Sequence, residues 1–148
     1  MTLDYNGKVV IVTGAGGGLG RCHALEFARR GAKVVVNDLG GAVDGSGGSS
    51  EAADKVVEEI KAAGGEAMSN GSSVTDDAGV ANMVQQTMDA YGRIDVLVNN
   101  AGVLRDKSFA KMEIADFDFV VDVHLFGTMK PTKAVWPIMK EQGYGRIM

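Results

Sequence analysis

Lys8-Val9-Val10-Ile11-Val12-Thr13-Gly14-Ala15-Gly16-Gly17-Gly18-Leu19-Gly20 is the stretch that decides the fold. Its first six residues form a β-branched run, the signature of a short strand buried on both faces. The glycines that follow let the backbone turn sharply, bring N–H groups close to a ligand and open a helix whose positive end faces the turn. Four glycines in the five positions 16–20 are more than a bare turn requires. A strand, a glycine turn and a helix in this order point to nucleotide binding, and the spacing leaves the nucleotide open. Gly14, Gly18 and Gly20 fit G-x-x-x-G-x-G, whereas Gly14, Gly17 and Gly20 fit G-x-x-G-x-x-G. Gly14, Gly16 and Gly18 fit the G-x-G-x-G of methyltransferases. Strict G-x-G-x-x-G is absent, and so is the Gly-Lys-Ser/Thr of a P-loop.

Working outward, Leu19, Cys22, Leu25 and Ala28 recur at helical spacing over residues 18–30, with Gly31 where a C-terminal cap belongs. Residues 33–37 (KVVVN) read as a second buried strand, ending at Asp38 and followed by a glycine-rich loop over 39–48. Ser49 or Ser50 caps a helix over 51–63 that turns Val56, Val57 and Ile60 to one side. Residues 66–69 form a weaker third strand. Asp76 or Asp77 opens a helix to Tyr91, with Val80, Met83, Val84, Thr87 and Met88 inward and Gly92 as its stop. Residues 94–98 (IDVLV) are a fourth strand. A long helical stretch over 116–142 follows, in which Pro131 and Pro137 predict a break or kink. Residues 145–148 read as the first residues of a fifth strand. Alternating strands and helices predict an α/β fold, a Rossmann-like doubly wound parallel sheet in three α/β/α layers. Only the N-terminal half of that plan fits, so residues 1–148 are expected to be one dinucleotide-binding domain truncated at the start of the fifth strand.

Composition narrows the function classes. The chain has 148 residues, 45% apolar and 23% charged, with a formal net charge of −4. That is enough apolar material for one packed domain and too little charge for disorder. An acidic balance without basic runs argues against nucleic acid and membrane as partners. No apolar run has the length of a membrane span and the first residues lack signal-peptide character, so the expected compartment is cytoplasmic. Cys22 is the sole cysteine, which excludes an intrachain disulfide, and no Cys/His cluster offers a metal site. Cys22 and His23 are neighbours on a helix and diverge by about 100°, which argues against a nucleophile–base pair. The eight methionines read as core filler and Trp136 as a packing residue on the last helix, with an interface role as its alternative.

Asp38 stands 18 residues beyond Gly20, where a carboxylate reaches both ribose hydroxyls of an adenosine half. It favours NAD: a 2′-phosphate would meet the carboxylate's repulsion, and no Arg or Lys lies between Asp38 and Ser50 to offset it. Ser73, Val74, Asn100, Ala101 and Gly102 follow strands that open on the same sheet edge and would line the same crevice, Val74 packing on adenine. Asn99 and Asn100 offer amide donors and acceptors, or simply a turn before Gly102.

Thr13-Gly-x-x-x-Gly-x-Gly, then Asp38, then Asn99-Asn100-Ala101-Gly102 in this order resemble the short-chain dehydrogenase/reductase family. More narrowly, residues 37–41, 52–60, 103–109 and Val123-His124-Leu125 are similar to the (3R)-hydroxyacyl-CoA dehydrogenase branch, found in peroxisomal multifunctional enzymes of type 2 and in bacteria. The resemblance covers residues 8–148. It implies NAD as cofactor, with Gly14, Gly18, Leu19 and Gly20 at the pyrophosphate, Asp38 at ribose, Ser73 and Val74 at adenine, and Asn100, Ala101 and Gly102 on the nicotinamide side. It also implies a small-molecule substrate, an acyl-CoA, and a homo-oligomer for the complete protein. The family's relay Asn is replaced by His124, which leaves a relay role and a packed or backbone-bonded role equally open. The family's catalytic Ser and Tyr-x-x-x-Lys pair lie beyond the fifth strand's start. Tyr5, Tyr91 and Tyr144 are followed four residues on by Val9, Asp95 and Met148, so no catalytic residue is assigned and the chain alone is expected to be inactive. A non-catalytic NAD sensor or scaffold and, less favoured, a methyltransferase are the alternatives. Apolar surface at Val96, Val98, Phe117, Phe119 and Val121 is expected to lie partly uncovered.

Overall fold

The computed structural model describes residues 3–41, 44–45 and 51–148. Five strands, β1 (Val9–Thr13), β2 (Lys33–Asn37), β3 (Glu66–Asn70), β4 (Val96–Val98) and β5 (Arg146–Ile147), form one parallel sheet in the order β3-β2-β1-β4-β5. The valine runs suit this sheet because both of its faces are covered. Side chains alternate across it. Val10, Val12, Val34, Val36, Val96 and Val98 point to a layer holding α1 (Gly18–Arg29) and α2 (Glu51–Ala62). Ile11, Val35 and Leu97 point to the opposite layer, with Met83 of α3 (Asp77–Tyr91) and Val135 and Met139 of α5 (Gly127–Gln142). This is the expected three-layer, Rossmann-like plan.

Helix ends follow their residues. The Asp76 carboxylate accepts the Gly79 N–H at 2.7 Å and opens α3, and Gly92 closes it in the left-handed conformation. The expected Ser49 or Ser50 cap lies outside the described residues, as does part of the loop over 39–48. On α1 the buried face is Gly20, Ala24 and Ala28, whereas Leu19 and Cys22 are exposed. Of the four residues at helical spacing, Ala28 is buried and Leu25 packs against the core, whereas Leu19 and Cys22 do not join them: small side chains at Gly20, Ala24 and Ala28 let α1 lie close on the sheet.

The long helical stretch also departs from expectation. α4 (Ile114–Val121) runs into a π segment (Asp122–Phe126), closed by the Gly127 N–H on the Asp122 carbonyl, before α5 begins. The irregularity precedes both prolines, which lie inside α5. A π turn carries one extra residue and so re-aims the side chains that follow. Val96 and Val98 are buried, against expectation, because β5 extends the sheet past them. Phe117 is exposed, and Phe119 and Val121 are half-buried. Trp136 is 59% exposed and fills no core position among the described residues. No described helix is long and apolar enough to cross a membrane, and no described group of three His, Cys, Asp or Glu could hold a metal ion.

At the sheet's other end, Asp95 ties β1 to β4. Its carboxylate is fully buried and accepts the Val9 N–H at 2.9 Å and the Arg93 guanidinium at 2.6 and 2.7 Å, with Lys8 Nζ at 3.4 Å. Burial alone would raise its pKa, but the Arg93 and Val9 hydrogen bonds and the charges of Arg93 and Lys8 outweigh it and hold the group below its ordinary value.

Candidate functional site

The sheet order reverses between β1 and β4, and the C-terminal ends of these strands open on a crevice of about 370 Å³. After Thr13 the chain turns at Gly14, whose φ is +62°; an added Cβ there would stand 2.8 Å from Ala101 Cα. Gly18 starts α1 with φ +50° and open space around it. Gly17, the N-cap residue, supplies no side-chain acceptor, and the first turn of α1 holds no acidic residue. Its N–H groups are thus available to an anion at the positive end of the helix. Gly20 is needed for packing: a Cβ would press on the Gly14 carbonyl and lie 2.5 Å from Asn100 Nδ2.

The turn is fastened from two sides. Asp38, one residue past β2, accepts the Gly16 N–H on Oδ2 at 2.8 Å and the Gly40 N–H on Oδ1 at 2.6 Å. Each oxygen keeps a further acceptor position for a hydroxyl. From the other side, Asn100 Nδ2 donates to the carbonyls of Thr13 at 3.0 Å and Gly14 at 2.9 Å. The Thr13 hydroxyl accepts the N–H groups of Asn100 and Ala101 at 3.0 and 3.1 Å. Asn100 therefore clamps the end of β4 to the glycine turn. Asn99 turns away from the turn, donating from Nδ2 to Thr132 Oγ1 on α5.

Beyond β3, Ser72, Ser73, Val74 and Thr75 form a second wall. Val74 is buried and packs so closely on Gly127 that a Cβ there would stand 2.7 Å from Val74 Cγ2. The third wall comes from the long helical stretch: Phe119 and Val123 line the crevice. His124 Nε2 lies 2.9 Å from the Val103 carbonyl and 3.1 Å from its N–H, so this side chain is bonded to backbone beside Gly102. The structure thus brings Gly14, Gly18, Asp38, Ser73, Val74, Asn100, Ala101 and Gly102 to one crevice, with Leu19 exposed next to Gly18 and Gly20 buried beneath the turn. Sequence reasoning missed Asn37, Ser72, Val103, Phe119 and Val123 on its lining. An amide ending a run of valines was the one available signal for Asn37.

The sheet order and the glycine turn at its switch point define a Rossmann-like α/β domain. The short chain dehydrogenase family matches residues 8–148, and the chain belongs to that family. It is 58% identical over 148 residues to peroxisomal multifunctional enzyme A of Dictyostelium discoideum, covering 100% of this chain and 33% of that protein. It is 55% identical over 146 residues to peroxisomal multifunctional enzyme type 2 of Mus musculus, covering 99% of this chain and 20% of that one. A solved 7α-hydroxysteroid dehydrogenase, complexed with NADH and 7-oxo glycochenodeoxycholic acid, superposes with a TM-score of 0.87 at 34% identity, covering 97% of this chain and 52% of its own. The chain thus spans a third or less of those two relatives and about half of that structure.

Proposed function

We propose that residues 1–148 are the NAD-binding part of a short-chain dehydrogenase that oxidises a 3-hydroxyacyl-CoA to the 3-ketoacyl-CoA. The observation that carries the NAD reading is Asp38, held by two backbone N–H groups at the crevice mouth beside the uncapped start of α1. A carboxylate so held accepts from ribose hydroxyls and repels a 2′-phosphate, which supports NAD over NADP. The hydroxysteroid dehydrogenase solved with NADH supports a nicotinamide cofactor, and the names of the multifunctional relatives, beside the motifs they share, support the acyl-CoA.

When bound, NAD supplies a hydride acceptor. This chain's residues orient it: the glycine turn and α1 at the pyrophosphate, Asp38 at ribose, Ser73 and Val74 at adenine, Asn100 to Gly102 at the nicotinamide side. The hydroxyl proton must pass to a base, and residues 1–148 hold no Tyr-x-x-x-Lys pair, so we assign them cofactor binding without turnover. A general base typically contributes about 100- to 10,000-fold in rate. We further propose a homo-oligomer, for which Phe126, Met129 and Trp136 supply an exposed apolar stripe at helical spacing. The cytoplasm stands as a proposal beside relatives named for the peroxisome. Replacing Asp38 tests the cofactor reading: Asp38→Ala is expected to weaken NAD binding about tenfold by calorimetry, and unchanged affinity would overturn it.

A further inference from the structure

Two buried asparagines stand at the sheet's C-terminal edge. Asn37, 2% exposed, ends β2, and Asn70, 4% exposed, ends β3. Asn37 Nδ2 donates to Asn70 Oδ1 at 2.8 Å and to the Ser72 carbonyl at 2.9 Å. Asn70 Oδ1 also accepts the Ser72 N–H at 3.1 Å, and Asn70 Nδ2 donates to Gln86 Oε1 at 2.8 Å and Asn82 Oδ1 at 3.3 Å. Asn70 thus makes four hydrogen bonds, the number its amide can offer. Asn82 Oδ1 accepts the Ser72 hydroxyl as well, at 3.3 Å, and Gln86 Nε2 donates to the Ser69 carbonyl at 3.2 Å. The ladder crosses from the crevice lining at Asn37 to α3, and it contains no titratable group.

Ser72 is therefore held at its N–H, its carbonyl and its hydroxyl. Three residues on, the wall is pinned again: Lys130 Nζ donates to the Thr75 carbonyl at 2.5 Å and pairs with Asp77 at 3.0 Å. Between the pins lie Ser73 and Val74. A segment held at one end by the buried amides of Asn37 and Asn70 and at the other by the part-exposed Lys130 keeps one geometry, whereas losing a buried amide leaves donors and acceptors unpaired and frees an end.

We propose that Asn70, through Asn37 and Ser72, is a positioning residue for the adenine-facing wall 72–75, and that this amide ladder sets affinity for the adenosine end of the dinucleotide. The proposal rests on the NAD reading above. Two variants of the full chain test it, each titrated calorimetrically with ADP-ribose and by ligand-detected NMR with nicotinamide mononucleotide. Asn70→Ala removes all four bonds; Gln86→Met, on half-exposed α3 surface and outside the crevice lining, removes the ladder's far anchor and guards against a fold failure in the first. Asn70→Ala is expected to weaken ADP-ribose about tenfold and Gln86→Met about threefold, with nicotinamide mononucleotide unaffected in both. Unchanged ADP-ribose affinity in folded variants, or an equal loss for both ligands, overturns the ladder's role while leaving the NAD reading intact. A wild-type chain that binds neither ligand overturns both.

Discussion

Two glycines three residues apart in one turn carry different constraints. At Gly14 a methyl group would stand 2.8 Å from Ala101 Cα, on a backbone with φ +62°. At Gly17 the same methyl meets nothing within 4 Å, and the φ of −162° suits any residue. Gly14→Ala is therefore expected to cost about 2 kcal/mol and to weaken dinucleotide binding, while Gly17→Ala stays within about 0.5 kcal/mol; urea unfolding of both variants checks the difference. Asp95 belongs to the same scale. Its pKa is depressed in the folded state, so the stability it contributes is present above its unfolded value and lost as pH falls through the folded one. Asp95→Asn should flatten the loss of stability below about pH 4, measured as the urea midpoint against pH. An unaltered slope would show that Asp95 does not supply it.

At the scale of elements, β1, β2 and β4 were legible because burial on both faces favours runs of valine and isoleucine, whereas β3 (EAMSN) has no such run and reads as a weaker strand. Helix ends at Asp76, Gly31 and Gly92 were legible from capping chemistry. The packing face of α1 was legible in part: Ala28 is buried and Leu25 packs against the core, as the helical spacing has them, whereas Leu19 and Cys22 are exposed and Gly20 and Ala24 lie against the sheet in their place. The π segment was not legible: an i→i+5 bond has no residue signature, and the prolines drew attention to a region that stays helical. Val123 stayed hidden from the site for the same reason, since it lies within that segment, and Phe119 lines the crevice from α4 just before it. Asp38 and Asn100 were readable as site residues by spacing, but Asn100's use of both Nδ2 hydrogens on the turn's own carbonyls was not. The π segment delivers His124 to Val103, so His124→Ala should cost about 1 kcal/mol and raise amide hydrogen exchange over 101–104. Unchanged exchange there would show that the backbone bond does not order this segment.

For the whole molecule, the sheet order decides where chemistry can occur. β2 and β3 lie to one side of β1 and β4 and β5 to the other, and at that reversal the loops part to leave the crevice. The glycine turn after β1, the carboxylate after β2, the wall after β3 and the amide clamp after β4 then meet there because every strand runs the same way. The opposite end of the sheet is closed by the Asp95 cluster. Family membership and this topology agree, and what they leave to be measured is the ligand. The most direct measurement is a calorimetric comparison of NAD, NADP and S-adenosylmethionine binding to the chain. NAD is expected to bind at least roughly tenfold tighter than NADP, from carboxylate–phosphate repulsion, with no S-adenosylmethionine binding. NADP binding as tightly as NAD, or S-adenosylmethionine binding more tightly than either, would contradict it.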